Sequence, residues 1–78
     1  MTPEQLKAKI ETLSAGTKAD VRDLKGGDHF QALIMSPAFS GKSTIERHRA
    51  VMAMLEGDFA SGEVHALTMK TWTPEEKK

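Results

Sequence analysis

The sequence predicts an α+β fold of order αββαβ, with a three-stranded mixed sheet and its helices packed on one face. Three observations carry that expectation. Two stretches open with a capping-box pattern and continue with apolar residues at helical spacing. Two strand-like runs flank the paired glycines Gly26 and Gly27, as in a hairpin. A further strand-like run follows the second helical stretch, which makes a strand–helix–strand crossover and so a parallel pair.

The first helix begins at Thr2-Pro3-Glu4-Gln5. Thr2 is suited to cap, Pro3 fits the first helical position, and Gln5 completes the box. Leu6, Ile10 and Leu13 form one apolar stripe, and residues 14–17 (SAGT) end the helix. Residues 18–24 (KADVRDL) read as a weak strand whose charges suggest an edge or a half-exposed position. Residues 25–28 (KGGD) read as the turn, because paired glycines accept positive φ. Residues 30–35 (FQALIM) read as an apolar strand that Ser36-Pro37 breaks.

In the connector that follows, Phe39 reads as tucked into the core. Ser43 and Glu46 form the second capping box, and the helix is expected to run to about Leu55. Its buried stripe is expected to be Ile45, His48, Val51, Met52 and Leu55, with Glu46, Arg47 and Arg49 pointing elsewhere. Gly57 is expected to end it, leaving at most one further turn anchored by Phe59. Residues 64–71 (VHALTMKT) form the third strand, and Thr73-Pro74 is one more helix-start signal near the end of the sequence.

Residues 1–78 read as one domain, burying about 60–65% of the unfolded chain's surface. There is no cysteine, hence no disulfide or thiolate metal site, which fits a reducing compartment. No signal peptide and no membrane-length apolar run is evident, so the expected location is cytoplasmic with no membrane partner. Eleven basic and eleven acidic residues cancel, whereas nucleic-acid binders show a basic excess.

Enzyme activity finds no support in the motifs. Residues 36–43 (SPAFSGKS) end in Gly-Lys-Ser between a strand and a helix, but Ser36 replaces the first glycine of a phosphate loop. Pro37 also removes a backbone donor that would cradle phosphate. No HExxH, paired catalytic carboxylates or nucleophile with a recognisable base occurs.

The three histidines are the residues most able to carry chemistry. His48 reads as a half-buried helix histidine. His29, at a strand mouth, is either an exposed polar residue or a metal ligand. His65 reads as lying inside the third strand, on the side of Leu67 and Met69, with its ring partly exposed. His29 and His65 meet if the third strand lies beside the second in the right register. Two neutral imidazoles suit a soft or borderline metal, with a partner completing the site. Arg47 and Arg49 are either solvated or face an anionic partner.

Several segments together resemble the BolA family: Gly27-Asp28-His29-Phe30, residues 36–43, Arg47-His48-Arg49, Val64-His65-Ala66-Leu67, and Lys70-Thr71-Trp72-Thr73-Pro74. They span residues 3–76 in order and look most like the short bacterial branch. The resemblance implies a fold similar to class II KH domains. It also implies a non-enzymatic role in iron–sulfur trafficking or iron homeostasis. BolA-like proteins pair with monothiol glutaredoxins and share a bridging 2Fe–2S cluster with the glutaredoxin cysteine and glutathione.

In that pattern His65 matches the main ligand and His29 the second, and the cluster exists only in the complex. Imidazole in place of thiolate raises a cluster's potential and makes ligation sensitive to pH. His48 is read as structural or interfacial. Alone, the protein is expected to be a monomer or weak homodimer. The alternative function is a DNA-binding transcriptional regulator using the KH-like fold. Its surface would combine Lys42, Arg47, His48, Arg49 and Lys70. Zero net charge and the lack of a Gly-x-x-Gly loop weigh against it.

Overall fold

The computed structural model describes residues 1–27 and 29–76, so Asp28 of the expected turn and the terminal Lys77 and Lys78 lie outside the described residues. The element order is α1 (Pro3–Glu11), β1 (Lys18–Lys25), β2 (His29–Met35), a 3-10 turn (Pro37–Phe39), α2 (Thr44–Met54), α3 (Glu56–Ser61) and β3 (Ala66–Trp72). The sheet order is β1-β2-β3, with β1 antiparallel and β3 parallel to the central β2. The α+β class and the mixed sheet are therefore as the sequence predicts.

Both capping boxes form. Thr2 Oγ1 accepts from the Gln5 N–H at 3.1 Å, and Gln5 Oε1 accepts from the Thr2 N–H at 2.9 Å. Ser43 and Glu46 make the same exchange at 3.2 and 2.8 Å. Each box satisfies donors that a helix N-terminus leaves unpaired. Gly26 and Gly27 both have positive φ, 69° and 79°, as the hairpin turn requires.

Alternation along β2 sorts the sheet's two faces. Phe30, Ala32 and Ile34 are buried on one face, where Leu6 and Ile10 of α1, Ala19 of β1, Val51 of α2, and Phe39, Leu55 and Val64 complete the core. Each large apolar side chain sealed there contributes about 1.5–3 kcal/mol. His29, Gln31, Leu33 and Met35 occupy the other face, half-buried.

Four local expectations change. The buried stripe of α2 is Arg47 and Val51, continued by Leu55, whereas Ile45 is 63% and Met52 39% exposed. The helix is thus rotated from the expected stripe, and Arg47 turns inward. Gly57 does not end the helical run. Leu55 caps α2, Gly57 lies inside α3, and the left-handed terminator is Gly62 at φ 82°. The order is therefore αββααβ.

Third, β1 extends to Lys25 and β2 begins at His29. Fourth, β3 starts at Ala66 and ends at Trp72, so His65 precedes the strand instead of lying in it. The cause is Val64, which is fully buried and donates its N–H to the Asp58 carbonyl at 3.1 Å. The chain is still turning off α3 there, and the ladder begins only where Ala66 meets His29.

Candidate metal centre

The candidate centre sits at the N-terminal ends of β2 and β3. His29 is the first residue of β2, aligned with Lys25 of β1 on one side and Ala66 of β3 on the other. Because β2 and β3 are parallel, the residue before Ala66 arrives beside His29. The His29 and His65 ring centroids are 5.3 Å apart, with their planes inclined by 36°. His65 is exposed and His29 half-buried.

The donor set fits a shared borderline metal. A bound imidazole nitrogen lies about 2.0–2.1 Å from such an ion, so two rings on one tetrahedral ion have centroids roughly 5 Å apart. Two imidazoles fill half of a four-coordinate shell. Among the described residues no group of three or more His, Cys, Asp or Glu side chains is placed to hold a metal ion. An ion held by these two imidazoles would therefore need its remaining ligands from another molecule.

The proposed basic surface does not stay intact. Arg47 is only 8% exposed, with its guanidinium 5.8 Å from the centre of the Phe39 ring. Its Nη1 donates to Glu76 Oε1 at 2.8 Å and its Nη2 to Glu76 Oε2 at 3.1 Å. Nε donates to the Lys42 carbonyl at 3.0 Å, and Nη1 also to the Thr71 carbonyl at 3.3 Å. This is a bidentate, charge-assisted pair that ties the C-terminal turn to α2.

Glu76 also accepts from the Thr73 N–H at 3.0 Å, while Thr73 Oγ1 accepts from the Glu76 N–H at 3.3 Å. Thr73-Pro74-Glu75-Glu76 is thus a third reciprocal cap. The Arg47 hydrogen bonds, then the Thr73 N–H, hold the Glu76 carboxyl down at about 2. Arg47 is correspondingly pushed up by the same pairing. The sequence held this signal in the Thr-x-x-Glu pattern, but not its arginine partner.

Of the other residues in that surface, Lys42, Arg49 and Lys70 are exposed and His48 is half-buried. Lys70 aligns with Leu33 and so lies on the uncovered sheet face, opposite the helices. Arg49 stands on the helical layer beside Met52 and Phe59. The cations are therefore divided between two sides of the molecule. Among the described residues no helix is long and apolar enough to cross a membrane.

Comparison with known proteins identifies the family and agrees with the fold. The BolA family, described as "BolA-like protein", matches residues 1–76. Protein BOLA2 of Arabidopsis thaliana is 36% identical over 81 residues, covering 100% of this chain and 85% of that protein. SufE-like protein 1 of the same plant is 35% identical over 97% of this chain, which spans only 21% of that longer protein. The solved BolA domain of SufE1 from Arabidopsis superimposes with a TM-score of 0.84 at 32% identity, covering 95% of this chain and 93% of that domain. A family match over nearly the whole sequence, and a full-length relative and a solved domain with the same fold, show that the chain belongs to the BolA family.

Proposed function

We propose that this protein handles iron–sulfur clusters without catalysing a reaction. It binds a monothiol glutaredoxin and shares a bridging 2Fe–2S cluster, with His65 as the main ligand from this chain and His29 as the second. The observation that carries this reading is the 5.3 Å approach of the two imidazoles at an exposed lip. Family membership supports the partner, and the lack of cysteine explains why thiolates must be borrowed from it.

The two histidines divide the work. His29 is fixed between ladder neighbours on both sides, so its ring direction is set by the sheet. His65 stands on the bend before β3 and is exposed, so it meets an incoming partner first. A 2Fe–2S cluster supplies one-electron chemistry and labile iron, and histidine ligation raises its potential above that of all-thiolate ligation. Both imidazoles must be neutral to bind iron, so acid favours release. A reducing, cytoplasm-like setting suits the glutathione and free thiolates of the complex.

The test is an anaerobic titration with a monothiol glutaredoxin carrying its glutathione-ligated cluster, followed by visible circular dichroism. A new spectrum at one-to-one stoichiometry, lost or altered in His65→Ala, is the expected result. An unchanged spectrum with the wild-type protein refutes the reading. The DNA-binding alternative is then tested by a mobility shift at physiological salt, where dispersed cations and a withdrawn Arg47 predict no binding.

A further inference from the structure

We propose that the outer edge of β1 pairs with the same edge of a second copy, antiparallel, about a two-fold axis through Val21. The inference rests on the direction of the backbone groups and the order of charges along the strand. It does not depend on the metal centre.

β1 lies at the edge of the sheet, and among the described residues β2 is its one neighbour. The Ala19 N–H donates to Glu11 Oε2 at 2.9 Å, so Ala19 directs its backbone groups away from β2. In an antiparallel ladder that direction alternates, so Val21 also turns its N–H and carbonyl outward. Lys18, Asp20 and Arg22 are then the residues bonded across to Met35, Leu33 and Gln31. A second copy placed about Val21 exchanges both backbone bonds between the two Val21 residues.

That register is the one the charges favour. Residues 20 and 22 of the two copies become direct neighbours across the new pair. Asp20 faces Arg22 of the second copy, and Arg22 faces its Asp20. Both side chains are exposed. Both lie in non-hydrogen-bonded pairs, where side chains approach most closely. Charged edge strands commonly repel other strands. In this sequence, KADVRD, the signs are ordered so that a copy of the same strand is accepted.

The pairing is short. Glu11 occupies the Ala19 N–H, so the ladder closes one step from the axis at either end. The resulting dimer is weak, on the order of millimolar. It joins two three-stranded sheets into one of six strands. The two His29–His65 lips then lie at opposite ends, each open to its own partner.

The experiment uses two single variants, Arg22→Asp and Asp20→Arg. Sedimentation is followed up to about 1 mM, a range that detects association this weak. Wild type is expected to dimerise, and each variant alone to dimerise at least tenfold more weakly, because like charges then face each other. Mixing the two variants restores opposite charges at both positions. Unlabelled Asp20→Arg should therefore shift the Val21 amide resonance of isotope-labelled Arg22→Asp. Circular dichroism of each variant checks that it folds. A wild type that stays monomeric overturns the proposal. So does a variant that dimerises as wild type does, or a mixture that shows no association.

Discussion

At the Met35 end of β2, polar side chains are consumed by one another. Ser36 is fully buried, and its hydroxyl meets Thr17 Oγ1 at 2.8 Å and Ser14 Oγ at 3.1 Å while accepting from the Ala38 N–H at 3.1 Å. Arg47 and Glu76 close the C-terminal turn nearby. At the His29 end, His29 of β2 and His65 on the bend before β3 bring two imidazoles together at an open lip, His65 exposed and His29 half-buried. Both ends are rich in polar residues, but at the closed end they pair with one another, whereas at the lip the exposed His65 stands where another molecule can reach it. Polar residues in a sequence signal function only when the fold leaves their chemistry accessible. Among the described residues no buried side-chain nitrogen or oxygen lacks a partner, so the buried hydroxyls of the closed end are satisfied within the fold.

Breaking the closed end should cost stability. Phe39 is 1% exposed beneath the Arg47 guanidinium, and Phe39→Ala should destabilise by about 3–5 kcal/mol through the cavity it leaves. Ser36→Ala should cost about 1–3 kcal/mol, because the Ala38 N–H and the Thr17 hydroxyl lose a buried partner. Urea unfolding measures both. A Ser36→Ala midpoint equal to wild type would show the hydroxyl cluster to be dispensable.

The Arg47–Glu76 pair is smaller in effect and is read through pH. The Glu76 carboxyl is held at about 2, below its ordinary 4.5. A depressed carboxylate stabilises the fold above its unfolded value, and that contribution fades as pH falls from 4.5 toward 2. Glu76→Gln should therefore flatten the acid limb of a melting-temperature profile across this window. Glu11 and Glu46 are also lowered, each by hydrogen bonds, so a residual slope survives in the variant. An unchanged acid limb would mean that solvent already satisfies Glu76, which is 47% exposed at the side chain.

Most of the architecture was legible because its signals are local. Capping boxes, a glycine pair and a proline break each act within four residues. The errors arose where a distant residue decided the outcome. Arg47 reads as a surface cation between His48 and another arginine, yet Glu76, 29 residues on, draws it under cover. That inward turn, with the true stripe Val51 and Leu55, leaves Ile45 and Met52 facing water. Gly57 reads as a stop, but Leu55 had already capped α2, and Gly57 continues in a new helix. The pairing of His29 with His65 was visible as a possibility of register. Its realisation depends on Val64 entering the core, a tertiary choice that no spacing rule states.

The smallest expected effect is the one that sharpens the contrast most. His65→Ala removes an exposed ring from a bend outside the ladder, so its folding stability should match wild type within about 0.5 kcal/mol. His29→Ala should cost more, since that side chain is half-buried at the first position of β2. A chemical-denaturation midpoint for each variant tests the order. If His65→Ala destabilises as strongly as Ser36→Ala, the lip is a structural element like the closed end, and its histidines are held in place by packing. If the midpoint stays put, the imidazole is available to a partner without cost to the fold, and any spectral change it causes in the cluster titration reports ligation rather than unfolding.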